Sequence, residues 1–277
     1  MSCGKNRTVR FNYIGTFGND IPVRFNYHKI APLDIEDTDY RRISQVLNMD
    51  ERYVESLCKE YERRNNDSVE KLGINVPKAK REERICCIGD SITSDRLSYF
   101  RIAQSAFKEE TNVYFLDFAI SGWKTSDVLS EFDAQVAPFK PTIIHILLGT
   151  NDSKNAYPGE DASVTSQEEY RRNMDRLLEL CDMTGAKVIL TTLPPCREAT
   201  EILPNGNKPV WEIATFNVIL RRLAAKHNVI LNDMESELQD RLNDIIDRFD
   251  NLHLNEFAHR MIASRVISYM CMIISQS

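Results

Sequence analysis

The chain has 277 residues, 42% of them hydrophobic and 27% charged, with a formal net charge of −6. That mix belongs to a folded globular protein with room for one ordinary α/β domain and an appendage, and its acidic balance disfavours nucleic acid as a partner. No uninterrupted apolar run reaches the roughly 18 residues of a membrane span, and residues 1–13 are basic without the apolar stretch of a signal peptide. The expected location is therefore cytoplasmic.

In chain order, residues 1–80 read as an extension and 81–277 as the main domain. Val9-Arg10-Phe11-Asn12-Tyr13 returns as Val23-Arg24-Phe25-Asn26-Tyr27 around Gly18-Asn19-Asp20, the alternation of a β-hairpin. Two helical patterns follow over 38–47 and 50–64, broken at Asn48-Met49 with Asp50 as an N-cap. Their spacing is that of a helix-turn-helix. Residues 34–70, however, hold eleven acidic against six basic side chains, a net of −5, which argues against DNA contact. Docking or homo-oligomerisation is the expected role of this extension, with a lid over the site as the alternative. Residues 78–84 read as a solvated linker.

From residue 84 onward, short apolar runs alternate with amphipathic stretches, the pattern of βαβ units around a parallel sheet. Strands are expected over 84–89, 112–119, 142–149, 186–192 and 229–232. Helices are expected near 95–108, 126–132, 167–184, 211–227, 235–247 and 255–274. Five near-continuous apolar strands imply a sheet covered on both faces, with ligands at the carboxyl ends of its strands. The seven cysteines show no zinc spacing, so no metal is expected, and Cys86 and Cys87 read as small buried thiols.

Four strand-end segments carry chemistry. Gly89-Asp90-Ser91 follows the first strand, where a glycine lets the chain turn sharply and the next helix offers its N-terminal amides to an oxyanion. A turn with an N-cap would use the same residues, and the GxSxG elbow is absent. Gly122 stands at the end of the second strand, where a bare amide can approach a ligand. Gly149-Thr150-Asn151-Asp152 ends the third strand, and an Asn there can donate to an oxyanion or simply make a turn. Asp250-Asn251-Leu252-His253 lets one loop carry a histidine beside its own carboxylate, which can fix the tautomer while His253 faces the serine.

These four blocks resemble, in order and near spacing, those of the GDSL or SGNH hydrolases, over about residues 84–275. The resemblance implies a flavodoxin-like three-layer α/β/α sandwich without cofactor. It implies Ser91 as nucleophile, His253 as base and Asp250 as its partner, with the amides of Ser91 and Gly122 and the side chain of Asn151 as oxyanion hole. Asp117 and Ala119 stand where the family often has Asn and Gly, and Asp117 is expected to tie its loop through backbone amides. The family's glycine after the Gly-Asp-Ser-Ile-Thr segment is also missing, and Ser94-Asp95-Arg96 opens the helix instead.

Other residues read more plainly. His145 is a core histidine within a strand, His227 lies at a helix C-terminus and His28 in the extension. His259 lacks a carboxylate comparable to Asp250, while Asp90 and Asp152 hold loops. The loops 153–166 and 194–209 should overhang the site, with Tyr157, Arg197 and Trp211 as residues able to stack on or bond a sugar or acyl group. Trp123, next to Gly122, is expected to line the pocket. The expected activity is hydrolysis of a small-molecule or carbohydrate ester, an O-acetyl group first. A lysophospholipase or thioesterase is the alternative, or a non-catalytic binding module on the same fold.

Overall fold

The computed structural model describes residues 23–24, 38–155, 157, 163–198, 202, 206–247 and 250–276. Asp39 and Asp50 cap two helices by accepting backbone amides of Arg42 and Tyr53. These helices are α1 (Tyr40–Leu47) and α2 (Glu51–Leu72). Asn48 ends α1 in the left-handed conformation that a short polar side chain tolerates. The second helix runs on to Leu72, past the expected end at residue 64, and stops at Gly73. Of the hairpin expected over 9–27, only Val23 and Arg24 are described, and both lie in a helical turn instead of a strand.

The main sheet holds β1 (Glu83–Gly89), β2 (Val113–Ala119), β3 (Ile143–Leu147), β5 (Lys187–Thr191) and β7 (Ile230–Asn232), all parallel. A separate antiparallel pair joins β4 (Lys154–Asn155) to β6 (Val210–Trp211). The main strand order is β2-β1-β3-β5-β7. The chain therefore leaves the inner strand β1 toward one edge and returns to its other side, which puts the switch point between β1 and β3. β1 and β3 are almost wholly buried and nearly continuous in apolar residues, as a sheet covered on both faces requires.

Beyond β1 come α3 (Ser91–Ser94), α4 (Tyr99–Ala106), α5 (Thr125–Phe139), α6 (Gln167–Met183) and α7 (Ile213–His227). Then follow α8 (Met234–Leu238), a 3-10 turn, α9 (Leu242–Ile245) and α10 (Glu256–Ser275). α4 packs against α10, while α5, α6 and α7 pack in series. α5 continues through Pro138 to Phe139, beyond the expected end at residue 132; Pro138 gives up one intrahelical amide bond, and the helix ends at Lys140 just after it. The single helix expected over 235–247 is instead three short pieces.

α10 is long and apolar enough to cross a membrane by length and composition, yet half of that stretch is buried within the fold. Its Ile262, Val266, Ile267 and Met270 belong to the core. Residues 78–84 are not all linker. Ala79 is buried, bonded through its amide to Glu110 and through its carbonyl to Asn112, and Glu83 already belongs to β1.

The extension is fastened to the main domain. α2 packs on α4 and α10, and Asn65 Nδ2 donates to the Arg96 carbonyl at 2.8 Å. Val23, Ile43, Val54, Cys58 and Tyr61 share a second apolar cluster with Leu97 of the main domain.

Candidate active site

Gly89 closes β1 opposite Ala119 and Leu147 of its neighbours. A Cβ there would stand 2.1 Å from Thr93 Oγ1 and 2.9 Å from the Leu147 carbonyl oxygen, so only a glycine lets the chain turn this tightly between two strands. Asp90 caps the following turn by accepting the Ile92 amide at 3.0 Å. That turn is α3, a single turn ending at Asp95; α4 starts only at Tyr99, capped by Ser98. The helix expected over 95–108 is present as α4 but starts only at Tyr99, so its N-terminal amides and dipole do not begin at Ser91. What remains is the local amides.

Ser91 is buried at the mouth of the sheet, and its hydroxyl lies 2.8 Å from His253 Nε2. His253 Nδ1 lies 2.5 Å from Asp250 Oδ2. The other carboxylate oxygen, Asp250 Oδ1, accepts the backbone amides of Leu252 at 2.9 Å and His253 at 2.7 Å. The three-residue spacing thus folds into a turn that carries its own carboxylate. Burial works against the Asp250 charge, but hydrogen bonds from the His253 side chain and the two amides hold its pKa below the ordinary value. This loop is braced twice: Arg197 N donates to the Asn251 carbonyl, and Asn251 Nδ2 to the Glu198 carbonyl.

Gly122 has a φ of 85°, which favours glycine. Asn151 Nδ2 donates to the Trp123 carbonyl at 2.9 Å, joining the loops after β2 and β3. Asp152 ties the same loops, accepting the Thr125 hydroxyl at 2.6 Å and the Thr125 amide. Gly149 has a φ of 132°, and a Cβ there would stand 2.4 Å from the Tyr170 hydroxyl, which donates to the Leu148 carbonyl. A serine hydroxyl bonded to an imidazole whose far nitrogen meets a carboxylate can lose its proton as it attacks an acyl carbon.

The remaining sequence expectations divide. Trp123 packs edge-on against Phe118, with ring centroids 5.2 Å apart. Tyr157 is exposed, its amide bonded to Asn155 Oδ1. Arg197 sends its guanidinium to the Asn243 carbonyl at 2.9 Å, into a cavity shared with Arg24 and Asp247. Trp211 lies under Lys154, whose Nζ is 5.6 Å from the ring. Asp117, expected to tie its loop, lies within β2 and pairs with Arg101 of α4 at 2.7 Å.

His259 does have a carboxylate neighbour, contrary to expectation: its Nε2 lies 3.4 Å from Asp95 Oδ2. Its Nδ1 accepts the Tyr99 amide, so both ring nitrogens are engaged within the core. His145 is the core residue expected, held between Tyr99 Oη and Thr191 Oγ1 and pushed down to about 3 by burial. His227 lies at the end of α7 against Asp175. His28 lies outside the described residues. Arg24 entered the sequence argument only as part of the repeated five residues, and Thr125 not at all: their carboxylate partners lie far away in the chain, and no local pattern marks those pairings.

The profile of the GDSL-like Lipase/Acylhydrolase family matches residues 87–261. The uncharacterized lipoprotein YqeF of Bacillus subtilis is 27% identical over 139 residues, which cover 45% of this chain and 56% of that protein. The chain thus matches little more than half the length of that relative. Among solved structures, the acetyl xylan esterase AlAXEase superposes with a TM-score of 0.55 at 21% identity, over 67% of this chain and 98% of its own. A lipase/acylhydrolase from Enterococcus faecalis gives 0.56 at 18% identity over 68% and 95%. Axe2, an acetylxylan esterase from Geobacillus stearothermophilus, gives 0.54 at 19% over 70% and 96%. All three share the fold.

Proposed function

The chain belongs to the GDSL-like lipase/acylhydrolase family of carboxylic ester hydrolases, and from that premise we propose that it removes a small acyl group, an O-acetyl on a carbohydrate, with Ser91 as nucleophile. The observation that carries this reading is the bonded series Asp250–His253–Ser91, with distances of 2.5 and 2.8 Å. His253 takes the serine proton as Oγ attacks the acyl carbon, then gives it to the departing alkoxide. An acyl-enzyme remains. Water, deprotonated by the same imidazole, then attacks it and releases the acid and the free serine. Asp250, kept ionised by the turn amides, holds Nδ1–H and steadies the imidazolium that forms at each step.

The amides of Ser91 and Gly122 and the Asn151 side chain serve as the oxyanion donors in this reading. The acetyl preference draws support from the acetylated-xylan esterases among the structural neighbours. The test is a panel of p-nitrophenyl esters on wild type and Ser91→Ala, with fluorophosphonate labelling alongside. Acetate should be preferred, and the variant should neither turn over nor label while melting as wild type does. A preference for octanoate would reject the acyl assignment. A fully active Ser91→Ala would reject the mechanism.

A further inference from the structure

The family profile begins at residue 87, yet an arginine from well before it reaches the two segments that hold the reacting side chains. Arg24 is buried, 7% exposed. Its Nε and Nη2 donate to Asp95 Oδ1 and Oδ2, both at 2.8 Å, in the bidentate geometry of a guanidinium on a carboxylate. Its Nη1 donates to Asp247 Oδ2, also at 2.8 Å. The two carboxylates belong to residues placed alike. The Asp95 amide donates to the Ser91 carbonyl at 3.1 Å, and the Asp247 amide donates to the His253 carbonyl at 2.8 Å.

One guanidinium is therefore a single residue removed from the backbone of each partner in the Ser91–His253 pair. The arginine is itself fixed: Val23 is buried in the apolar cluster with Tyr61 and Leu97, and the Arg24 carbonyl accepts the Arg96 amide at 3.4 Å. On the far side, Asp95 also accepts the Leu97 amide and faces His259 Nε2. Asp247 lies between α9 and the His253 loop, where Ile246 bridges Leu254.

We propose that Arg24 is a positioning residue for ester hydrolysis, a clamp from the N-terminal segment that sets the distance between Ser91 and His253 through Asp95 and Asp247. This rests on the reading of Ser91 and His253 as the reacting pair. The clamp touches no substrate, so loosening it lowers kcat and leaves KM alone. A misplacement of about 1 Å between reacting groups costs up to about 10²-fold in rate.

The experiment uses the full chain with Arg24→Ala, Arg24→Lys, Asp247→Ala and, as control, Ser91→Ala. It reads kcat and KM on p-nitrophenyl acetate, the rate of fluorophosphonate labelling and the melting temperature. Asp247→Ala keeps the buried Arg24–Asp95 pair and so decides the matter if Arg24→Ala does not fold. The expected result is a kcat about 10- to 100-fold lower in Asp247→Ala and Arg24→Ala, with KM within about twofold. Labelling should slow in parallel. Low millimolar guanidinium should restore part of the Arg24→Ala rate, and Arg24→Lys should fall between Arg24→Ala and wild type. Folded Asp247→Ala with wild-type kcat and labelling would overturn the clamp while Ser91→Ala stays inert. An active Ser91→Ala would overturn both the clamp and the mechanism on which it rests.

Discussion

At the scale of single residues, Asn151 does two things that one substitution separates. Its Nδ2 holds the Trp123 carbonyl, and an Asn amide has two hydrogens to give. In the proposed mechanism the second meets the oxyanion, a bond that strengthens only as charge develops. Asn151→Ala should therefore lower kcat by about 10²–10³ with little change in KM. The lost bond to Trp123 is a neutral one, so stability should fall by about 1 kcal/mol. Steady-state kinetics and a denaturant titration together check this. A large loss of stability with an unchanged kcat would make Asn151 a loop tie and nothing more.

At the scale of elements, the sheet is held at its carboxyl end by a buried polar series. Thr93 Oγ1 bonds Tyr99 Oη at 2.6 Å, Tyr99 Oη bonds His145 Nδ1 at 3.1 Å, and His145 Nε2 bonds Thr191 Oγ1 at 2.7 Å. Asn232 Nδ2 then donates to Thr191 Oγ1 at 3.1 Å. α3, α4, β3, β5 and β7 are thereby joined beneath the site. Tyr99→Phe would strand the His145 ring nitrogen and the Thr93 hydroxyl in the core and should cost about 1–3 kcal/mol. Chemical denaturation measures that loss, and an unchanged midpoint would show that water replaces the phenol. None of this series was legible in the sequence beyond His145 as a core histidine, because its members are paired across up to 46 residues of chain.

What was legible follows from period and punctuation. All five main strands lie within two residues of where their apolar runs put them. The inner strands β1, β3 and β5 are buried on both faces and show nearly their full length as hydrophobic residues, while β2 and β7 at the edges are only partly covered. The Asp250 turn was legible because its bonds close within three residues. The break between α3 and α4 was not, because the Ser98 cap sits inside a helical-looking stretch. Nor was the fixing of the extension, which depends on Arg24 meeting carboxylates 71 and 223 residues away.

At the scale of the whole molecule, carboxylates around the site pull stability in opposite directions with pH. Asp95 and Asp250 are held below their ordinary pKa even though burial opposes it, Asp95 by Arg24 and His259 and Asp250 by His253 and the turn amides. Each releases protons more readily folded than unfolded, so its contribution is present above the unfolded pKa and lost as pH falls through the folded one. Asp90 is the reverse. Burial raises it from 3.8 to about 6, against the Ile92 amide and the nearby His253. Between those values the native state binds more protons than the unfolded chain, so stability falls as pH rises through that window and stays lowered above it. A shift of about two units corresponds to about 3 kcal/mol. Asp90→Asn keeps an oxygen to accept the Ile92 amide and removes the buried charge. It should melt above wild type at pH 8, and the gain should shrink steadily as the pH is taken to 4. Thermal scans of the two proteins across that range measure the difference, and a gain of the same size at both ends would mean that Asp90 does not titrate there.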